Sequence, residues 1–464
     1  MTMNIGESLR VKSGEIAAFI GAGGKTTLMF RLGKEIAASG KVLITTTTKI
    51  YHPSVIFPNE TFSGAVVVAS TFADAVRELQ TQWQEQNIVV LGSGQDQEQK
   101  LLGIPADWLP LLHSAFPQSL ILVEADGAAG RLLKGHLPHE PAVPPAATMI
   151  VSVASLAALR RPLDAKVVHR PEIVAEFAGV EMGDLITPNI LAQAVGRGAR
   201  LAMEQATAAR QLVWLNTGLA RGQAAGDSLV EARMVARYLA PLGVLIGEGT
   251  STQSVQELWP AETGVVGVVL AAGLSSRLNG EKLLLRWKDK ALVRHSVEAL
   301  LGSRLDKVLV VVGHRSEEVR RELAGLPIEV VENIEYREGI GLSVRAAVAH
   351  IVQEFGQTCR GVMFALGDQP CLSWHTVDFL VDEFMRREGA IIYPRFDEKR
   401  GNPVIFPSAL YSELLQLRGD TGGQEVMNRH NDRLHGVAVD DYAVLEDIDC
   451  REDYLKLVKR EYEA

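Results

Sequence analysis

Two glycine-rich turns, each directly after a strongly apolar run, restrict this 464-residue chain more than any other feature. The first is AAFIGAGGKTTLMF, residues 17–30, and the second is VVLAAGLSSRLNGEKLLL, residues 268–285. Small residues at the end of a buried strand let backbone amides approach a ligand, and a nearby lysine or arginine favours a phosphate. Because the two turns stand far apart in the chain, the sequence predicts two separate phosphate sites.

Strand-like and helix-like stretches alternate along both halves of the chain. Apolar runs such as Val42–Thr45 and Leu120–Val123 are separated by helical patterns such as TFADAVRELQTQW. This alternation predicts an α/β fold, with mostly parallel strands and helices on the sheet faces. The polar segment 251–264, which contains Pro260 and Gly264, is predicted to link a domain of residues 1–250 to a domain of residues 265–464.

Composition restricts the class of partner. The formal net charge of −9 argues against general nucleic-acid binding, so the local cations are expected to serve a small anion. The three cysteines form no CxxC pair, and the chain has neither an apolar signal core nor an apolar run long enough to cross a membrane. We therefore expect a cytoplasmic protein that binds neither nucleic acid nor a membrane.

The second turn carries the residues of a nucleotide site. Ala271, Ala272 and Gly273 are small enough to let backbone amides approach a nucleotide. Arg277 and Lys282 could neutralise its β- and γ-phosphates. Taken alone, this pattern also fits a tight turn with solvated charges, and that alternative stays open.

Further polar residues follow in the same half. Asp368 lies just past an apolar run, in FALGDQP, where it could hold Mg²⁺ or simply begin a turn. Ser343 lies at a helix start after two glycines and could cap the helix or reach a base. Asn402 lies in RGNPVIF, and Asp447 and Asp449 lie in EDIDCRED before the last helix.

The order of these motifs resembles the molybdenum cofactor nucleotidyltransferases, which belong to the wider class of nucleotide-diphospho-sugar transferases. The resemblance covers residues 265–464 and implies a Rossmann-like C-terminal domain. It implies nucleotide binding by residues 270–282 and catalytic roles for Arg277, Lys282 and Asp368. The turn LAAGLSSR is similar to the cytidylyl branch, although the family usually has glycine two residues after the arginine, where this chain has Asn279.

The resemblance also implies a reaction. CTP would bind the turn with Mg²⁺ on Asp368, and the terminal phosphate of molybdopterin, or of molybdenum-molybdopterin, would attack the α-phosphorus and release pyrophosphate. Asp449, with Asp447, is expected to complete the metal shell or to orient the pterin, and Asp447 and Asn402 are expected to face the acceptor. The alternatives are a transferase that uses GTP or acts on a sugar or alditol phosphate, and a non-catalytic chaperone that binds the cofactor.

The first turn, GAGGKTT, has the lysine and threonine of a P-loop but is shorter than G-x-x-x-x-G-K-[ST]. Its flanking strand and helix predict a P-loop-like α/β domain that binds ATP or GTP, against the alternative of a turn with no ligand. The residues expected to contact nucleotide are Gly21, Gly23, Gly24, Lys25, Thr26 and Thr27.

A second acidic motif accompanies this turn. VEADGAAG ends an apolar run, and Asp126 within it is expected to serve a Mg²⁺ ion. Together with GAGGKTT and TTTTKI, it resembles the selenium-dependent hydroxylase accessory proteins, the YqeC-type family, over residues 14–247. That resemblance implies a role in maturing the cofactor or delivering it to a molybdenum hydroxylase apoenzyme.

Overall fold

The computed structural model describes residues 4–57, 62–218, 225–249, 255–274 and 282–463. The chain divides into two compact units, Met1–Pro260 and Ala261–Ala464. Each unit has its own sheet and its own apolar core.

The N-terminal unit alternates strands and helices. Its strands are β1 (Ile16–Gly21), β2 (Val42–Thr46), β3 (Lys49–Tyr51), β4 (Ala65–Val68), β5 (Ile88–Gly92), β6 (Gly94–Gln95), β7 (Lys100–Leu102), β8 (Leu120–Glu124), β9 (Leu133–Lys134), β10 (Met149–Ser155), β11 (Val168–His169), β12 (Arg210–Asn216), β13 (Gly243–Gly247) and β14 (Val255–Trp259). Its helices are α1 (Ile5–Ser8), α2 (Lys25–Ile36), α3 (Pro53–Ile56), α4 (Phe72–Gln82), α5 (Trp108–Ala115), α6 (Pro171–Ala178), α7 (Pro188–Gln205) and α8 (Ala225–Tyr238).

The main sheet of this unit has the strand order β14-β13-β12-β10-β1-β8-β2-β5-β4. All of these strands run parallel except β14, which pairs antiparallel with β13. Strands β2, β5 and β8 are buried along their whole length, which accounts for their continuous apolar sequences. The predicted parallel sheet with helical crossovers is therefore confirmed, with one antiparallel strand at its edge.

Strand β14 lies in the segment that the sequence analysis assigns to the linker. Val255 and Trp259 are buried, and Glu257 between them forms an ion pair with the buried Arg233 of α8. Strand β14 therefore belongs to the N-terminal unit, and Val255 and Trp259 are part of its buried interior. Glu257 faces inward and is neutralised by Arg233, 24 residues earlier in the sequence, so the sequence of this strand resembles that of a polar linker.

We expect a fragment of residues 1–254 to be much less stable than one of residues 1–260. The shorter fragment loses β14 and leaves the buried Arg233 without Glu257, and breaking a buried ion pair costs about 3–5 kcal/mol. Thermal unfolding followed by circular dichroism measures the difference. Glu257→Gln in the longer fragment should reproduce part of the loss, whereas equal melting temperatures for all three would contradict the assignment of β14.

The C-terminal unit contains strands β15 (Val265–Ala271), β16 (Arg286–Trp287), β17 (Lys290–Ala291), β18 (Lys307–Val312), β19 (Glu329–Glu332), β20 (Gly361–Leu366), β21 (Ile391–Phe396), β22 (Lys399–Arg400), β23 (Val404–Pro407) and β24 (Leu434–Ala438). Its helices are α9 (Leu292–Leu301), α10 (Ser316–Glu322), α11 (Ile340–Phe355), α12 (Trp374–Arg386), α13 (Tyr411–Leu414), α14 (Gln424–Arg429) and α15 (Arg451–Glu463).

The sheet of this unit is mixed. Its strand order is β19-β18-β15-β20-β23-β21-β22, with β24 paired to β21. The strands β19, β18, β15 and β20 are parallel, whereas β23 runs antiparallel to both β20 and β21. The carboxyl ends of β15 and β20 therefore lie side by side. Ala272 follows β15 directly, and Asp368 lies two residues beyond β20. Among the described residues, no helix has the length and apolar character that a membrane crossing requires.

Candidate functional site

The first glycine-rich turn joins β1 to α2 at the carboxyl edge of the parallel strands. Gly21, Gly23 and Gly24 have positive φ angles of 91°, 77° and 124°. A Cβ atom on Gly21 would lie 2.2 Å from the carbonyl oxygen of Val153, and one on Gly24 would lie 2.4 Å from Nδ2 of Asn216. Both the backbone angles and the neighbouring strand ends therefore require glycine here.

The turn places the first amides of α2 at the sheet edge. Gly24 is the N-cap residue of α2 and has no side chain that could accept hydrogen bonds from the first turn. Thr26 and Thr27, which are predicted to contact nucleotide, lie in that turn and are half-buried. Uncapped amides at a helix N-terminus attract an anion, so the local backbone suits a phosphate.

Lys25 and Thr26 both face Glu124 at the end of β8. The Lys25 Nζ donates to the carbonyl oxygen of Gly21 at 2.7 Å and lies 3.9 Å from Oε1 of Glu124. The Thr26 hydroxyl donates to Oε2 of Glu124 at 2.7 Å. Burial raises the pKa of Glu124, and Lys25 and Thr26 oppose that rise. The carboxylate beside the lysine and threonine of the turn is therefore Glu124, not Asp126.

Asp126 has partners other than the expected metal ion. Its Oδ2 accepts hydrogen bonds from the Gly21 amide at 3.0 Å and from His136 at 2.8 Å, and its Oδ1 contacts the Lys134 ammonium. Burial by itself would raise the pKa of Asp126, but His136 and the charges of Lys25 and Lys134 lower it to about 2. Because both oxygens have partners, Asp126 holds the turn in shape in this structure, and its role as a metal ligand stays a prediction.

Lys134 and His136 are residues of this site that the sequence does not predict. They follow Asp126 by eight and ten residues, in a stretch with no helical or strand periodicity. The short strand β9 pairs with β11 and returns both side chains to the end of β1. The available signal was a pair of basic residues soon after the acidic end of β8. Their contact with Asp126 depends on the pairing of β9 with β11, and strands of only two residues are not recognisable in the sequence.

The second glycine-rich turn follows β15. Ala271 ends the strand, Ala272 is buried beside it, and Gly273 is exposed. Arg277, which is expected to be catalytic, lies outside the described residues. The turn opens at the carboxyl end of a parallel strand, where ligands of open α/β sheets bind.

Lys282 joins two of the predicted carboxylates. Its Nζ donates to Oδ1 of Asp449 at 2.7 Å and contacts Oδ2 of Asp368. Burial by itself would lower the pKa of Lys282, but the two carboxylates raise it above its ordinary value. Lys282, Asp368 and Asp449 are far apart in the sequence, and the structure brings these three predicted side chains together.

Asp368 has one oxygen that fits a cation. Its Oδ1 is buried and has no hydrogen-bond partner among the described atoms. Within the described residues, no group of three or more His, Cys, Asp or Glu side chains is arranged to hold a metal ion. Mg²⁺ is commonly held by one or two carboxylates together with phosphate oxygens, so Asp368 and Asp449 would fit it once a nucleotide supplies the other ligands.

Asp447 is electrostatically coupled to this pair. Burial, together with the charges of Asp368 and Asp449, raises the pKa of Asp447 to about 6. Its Oδ1 accepts a hydrogen bond from Nε2 of Gln369 at 2.7 Å. Asp447 therefore adds a third carboxylate beside Asp368 and Asp449, and neighbouring like charges favour the binding of a cation.

A cavity of about 510 Å³ joins the turn to the carboxylates. Ser343 lines it, and its hydroxyl accepts a hydrogen bond from Nδ2 of the buried Asn333 at 3.0 Å. Asn402 lines a second cavity, of about 260 Å³, which shares Leu270, Ile340 and Leu366 with the first. Other residues that line the first cavity include Ala272, Gly273, Lys282, Arg337, Asp368, Asp420 and Asp449.

We expect Asp447→Asn to stabilise the protein at pH 8. The native pKa of Asp447 is about 6, above its ordinary value of 3.8, so the folded state binds more protons and loses stability as the pH rises between those values. Removing this charge should restore about 1–2 kcal/mol after allowance for solvent screening. Melting temperatures of the variant and wild type should differ most at pH 8 and converge towards pH 4. A difference independent of pH would contradict the assigned pKa.

Two family models match the chain. The model described as "YqeC protein" matches residues 17–172, and the model described as "MobA-like NTP transferase domain" matches residues 267–434. The first match contains the glycine-rich turn of β1 and Glu124. The second contains Lys282 and Asp368 and ends before Asp449.

Three curated relatives each match less than half of the chain. The nicotine blue oxidoreductase of Paenarthrobacter nicotinovorans is 29% identical over 203 residues, which are 42% of this chain and 96% of that protein. The molybdenum cofactor cytidylyltransferase of Escherichia coli K12 is 25% identical over 196 residues, 42% of this chain and 95% of that protein. A probable molybdenum cofactor guanylyltransferase of Thermococcus sibiricus is 30% identical over 153 residues, 33% of this chain and 72% of that protein.

Proposed function

Because the chain belongs to the MobA-like NTP transferase family through its C-terminal half and carries a YqeC domain at its N-terminus, we propose that it is a bifunctional cytoplasmic protein of molybdenum cofactor maturation. Its C-terminal unit transfers CMP from CTP to the terminal phosphate of molybdopterin. Its N-terminal unit binds ATP or GTP and assists delivery of the cofactor to a molybdenum hydroxylase. Its three free cysteines fit a reducing compartment.

The arrangement of Lys282, Asp368 and Asp449 beside the 510 Å³ cavity carries the proposal for the C-terminal unit. A nucleoside triphosphate needs concentrated positive charge at its phosphates, and this cluster offers a lysine and a place for a divalent cation. Mg²⁺ held by Asp368 and Asp449 would neutralise charge on the triphosphate. The lysine and the metal are then alternative counter-ions of the same two carboxylates.

The residues support transfer by positioning and charge neutralisation. A phosphate monoester is already an anionic nucleophile at neutral pH, so the transfer requires no strong general base. An oxygen of the acceptor phosphate forms a bond to the α-phosphorus, and the bond from that phosphorus to the bridging oxygen breaks. Pyrophosphate leaves with that electron pair, and Lys282 and Arg277 would stabilise its charge. Asn402 and Asp447 would then face the acceptor.

CTP is the proposed donor because the turn LAAGLSSR is similar to the cytidylyl branch, whereas the guanylyl branch usually has a second glycine where this chain has Ala272. Ala272 is buried, so its methyl group narrows the first cavity beside the turn. GTP is the second candidate, since one relative carries a guanylyltransferase name. Both nucleotides should be tested at equal concentration.

The test is the release of pyrophosphate from CTP or GTP in the presence of molybdopterin, with the dinucleotide product identified by chromatography. We expect Mg²⁺-dependent release from CTP and little from GTP. Ala272→Gly should raise turnover with GTP relative to CTP if the methyl group sets the preference. Absence of dinucleotide with either donor, from a folded protein, would refute the transferase.

We propose that the N-terminal unit is P-loop-like. The support is the uncapped start of α2, the positive φ angles of its three glycines, and a lysine and threonine directed at Glu124. In this arrangement backbone amides would surround the β-phosphate, and Lys25 would turn from the Gly21 carbonyl towards it. Calorimetric titration with ATP and GTP tests this assignment, and the absence of any binding would refute it.

A further inference from the structure

The N-terminal unit contains a cavity that neither proposed activity uses. It has a volume of about 550 Å³ and lies between α7 and α8. Gln211, near the start of β12, and Leu242, just before β13, both line it. The cavity is therefore at the amino edge of the parallel sheet, opposite the glycine-rich turn.

Two arginines give this cavity its charge. Arg197 and Arg200 both line it, and no aspartate or glutamate is among the described residues that do so. The Nε atom of Arg197 is buried and has no hydrogen-bond partner among the described atoms, while its guanidinium lies 5.3 Å from the ring centroid of Phe177. A buried guanidinium donor without an acceptor is costly, so the arrangement calls for an anion.

The other walls of the cavity are apolar or carry amides. Met203, Leu239 and Pro241 form an apolar side, and Asn189 and Gln193 add amide groups near the arginines. The space stays open partly because α7 has a glycine here. A Cβ atom on Gly196 would meet nothing nearer than Leu239 Cδ2 at 3.8 Å.

We propose that this cavity binds a small phosphate monoester with an apolar or planar body, such as a mononucleotide. Arg197 and Arg200 hold the phosphate, because the guanidinium fork matches phosphate oxygens. The apolar wall covers the body of the ligand. The volume lies within the usual range for small-molecule sites. Binding in this cavity does not require nucleotide at the glycine-rich turn.

Arginine footprinting of the full chain locates the ligand. Phenylglyoxal modifies accessible arginines, and peptide mass spectrometry reads Arg200 separately from Arg161, an exposed arginine outside the cavity. We expect guanosine monophosphate to slow modification of Arg200 at least fivefold and to leave Arg161 unchanged. Inorganic phosphate should protect more weakly, and guanosine should not protect. No protection by guanosine monophosphate or phosphate, or equal protection by guanosine, would overturn the proposal.

Three variants test whether the ligand binds in this cavity or at the first glycine-rich turn. Arg197→Gln should raise the concentration of guanosine monophosphate that half-protects Arg200 by about tenfold to a hundredfold, the range in affinity for a lost charge-assisted contact. Gly196→Leu fills the cavity without a backbone clash and should abolish protection in a protein that still folds. Lys25→Ala should leave protection unchanged. Full protection in Gly196→Leu, or its loss in Lys25→Ala, would place the ligand elsewhere.

Discussion

Replacing Asp368 with alanine should lower nucleotidyl transfer by about a thousandfold or more while leaving the fold intact. Asp368 lies just beyond β20, it contacts Lys282, and its second oxygen has no partner among the described atoms. Losing this carboxylate removes a ligand for Mg²⁺ and one of the two anchors of the lysine. Pyrophosphate release at saturating CTP and molybdopterin, measured across a Mg²⁺ titration, gives the size of the effect.

Two further variants define what that loss means. Asp368→Asn keeps the shape of the side chain but removes its charge, and it should be nearly as inactive because Mg²⁺ prefers carboxylate oxygens. Asp432→Ala removes an exposed aspartate of the same unit and should keep wild-type turnover. Normal Mg²⁺-dependent turnover in Asp368→Ala would show that Asp368 is structural. A parallel loss in Asp432→Ala would point to a general effect of charge.

The sequence predicts the core of the C-terminal cluster because each of its members lies beside a strong local signal. Lys282 follows a glycine-rich turn, Asp368 follows an apolar strand, and Asp449 precedes the last helix. Carboxyl ends of neighbouring parallel strands meet at one sheet edge, so their proximity follows from the fold class. The coupling of Asp447 to the pair does not follow, because the rise of its pKa depends on burial and on distances that only the folded chain defines.

The local sequence does not predict which of Glu124 and Asp126 faces the lysine of the glycine-rich turn. Both stand at the end of β8, and either could have faced the lysine of the turn. Glu124 is the last residue in register with β1 and β2, whereas Asp126 lies beyond the strand and is captured by His136 and Lys134. Side-chain alternation no longer applies after a strand ends, so the sequence offers no rule that separates the two.

The sequence does not predict strand β14 for a similar reason. Its burial alternates, with Val255 and Trp259 inside and Gln256 and Leu258 exposed. The inward position between the two apolar residues is Glu257, which pairs with Arg233. A charged residue on the inner face breaks the apolar alternation by which strands are recognised, and its partner lies 24 residues away.

Lys25→Ala should weaken ATP or GTP binding by the N-terminal unit by about 1.5–3 kcal/mol, the worth of a charge-assisted hydrogen bond. Lys25 is the cation nearest to the uncapped amides of α2 in this turn, and its side chain is only 5% exposed. Its removal also takes a positive charge from beside Glu124, whose pKa is already raised by burial. The variant should therefore lose some stability as well as affinity. Titration calorimetry with each nucleotide on the 1–260 fragment, beside melting temperatures, measures both.

Adding Glu124→Gln to Lys25→Ala separates the two effects. The double variant no longer buries an uncompensated carboxylate, so its melting temperature should recover, but its nucleotide affinity should stay low because the phosphates still lack their cation. Lys166→Ala, which removes an exposed lysine of the same unit, should change neither quantity. Recovery of affinity in the double variant would mean that Lys25 acts only by neutralising Glu124. Because Lys25 belongs to the N-terminal unit, cytidylyl transfer by full-length Lys25→Ala should stay at the wild-type rate, and its loss would show that the two activities are coupled.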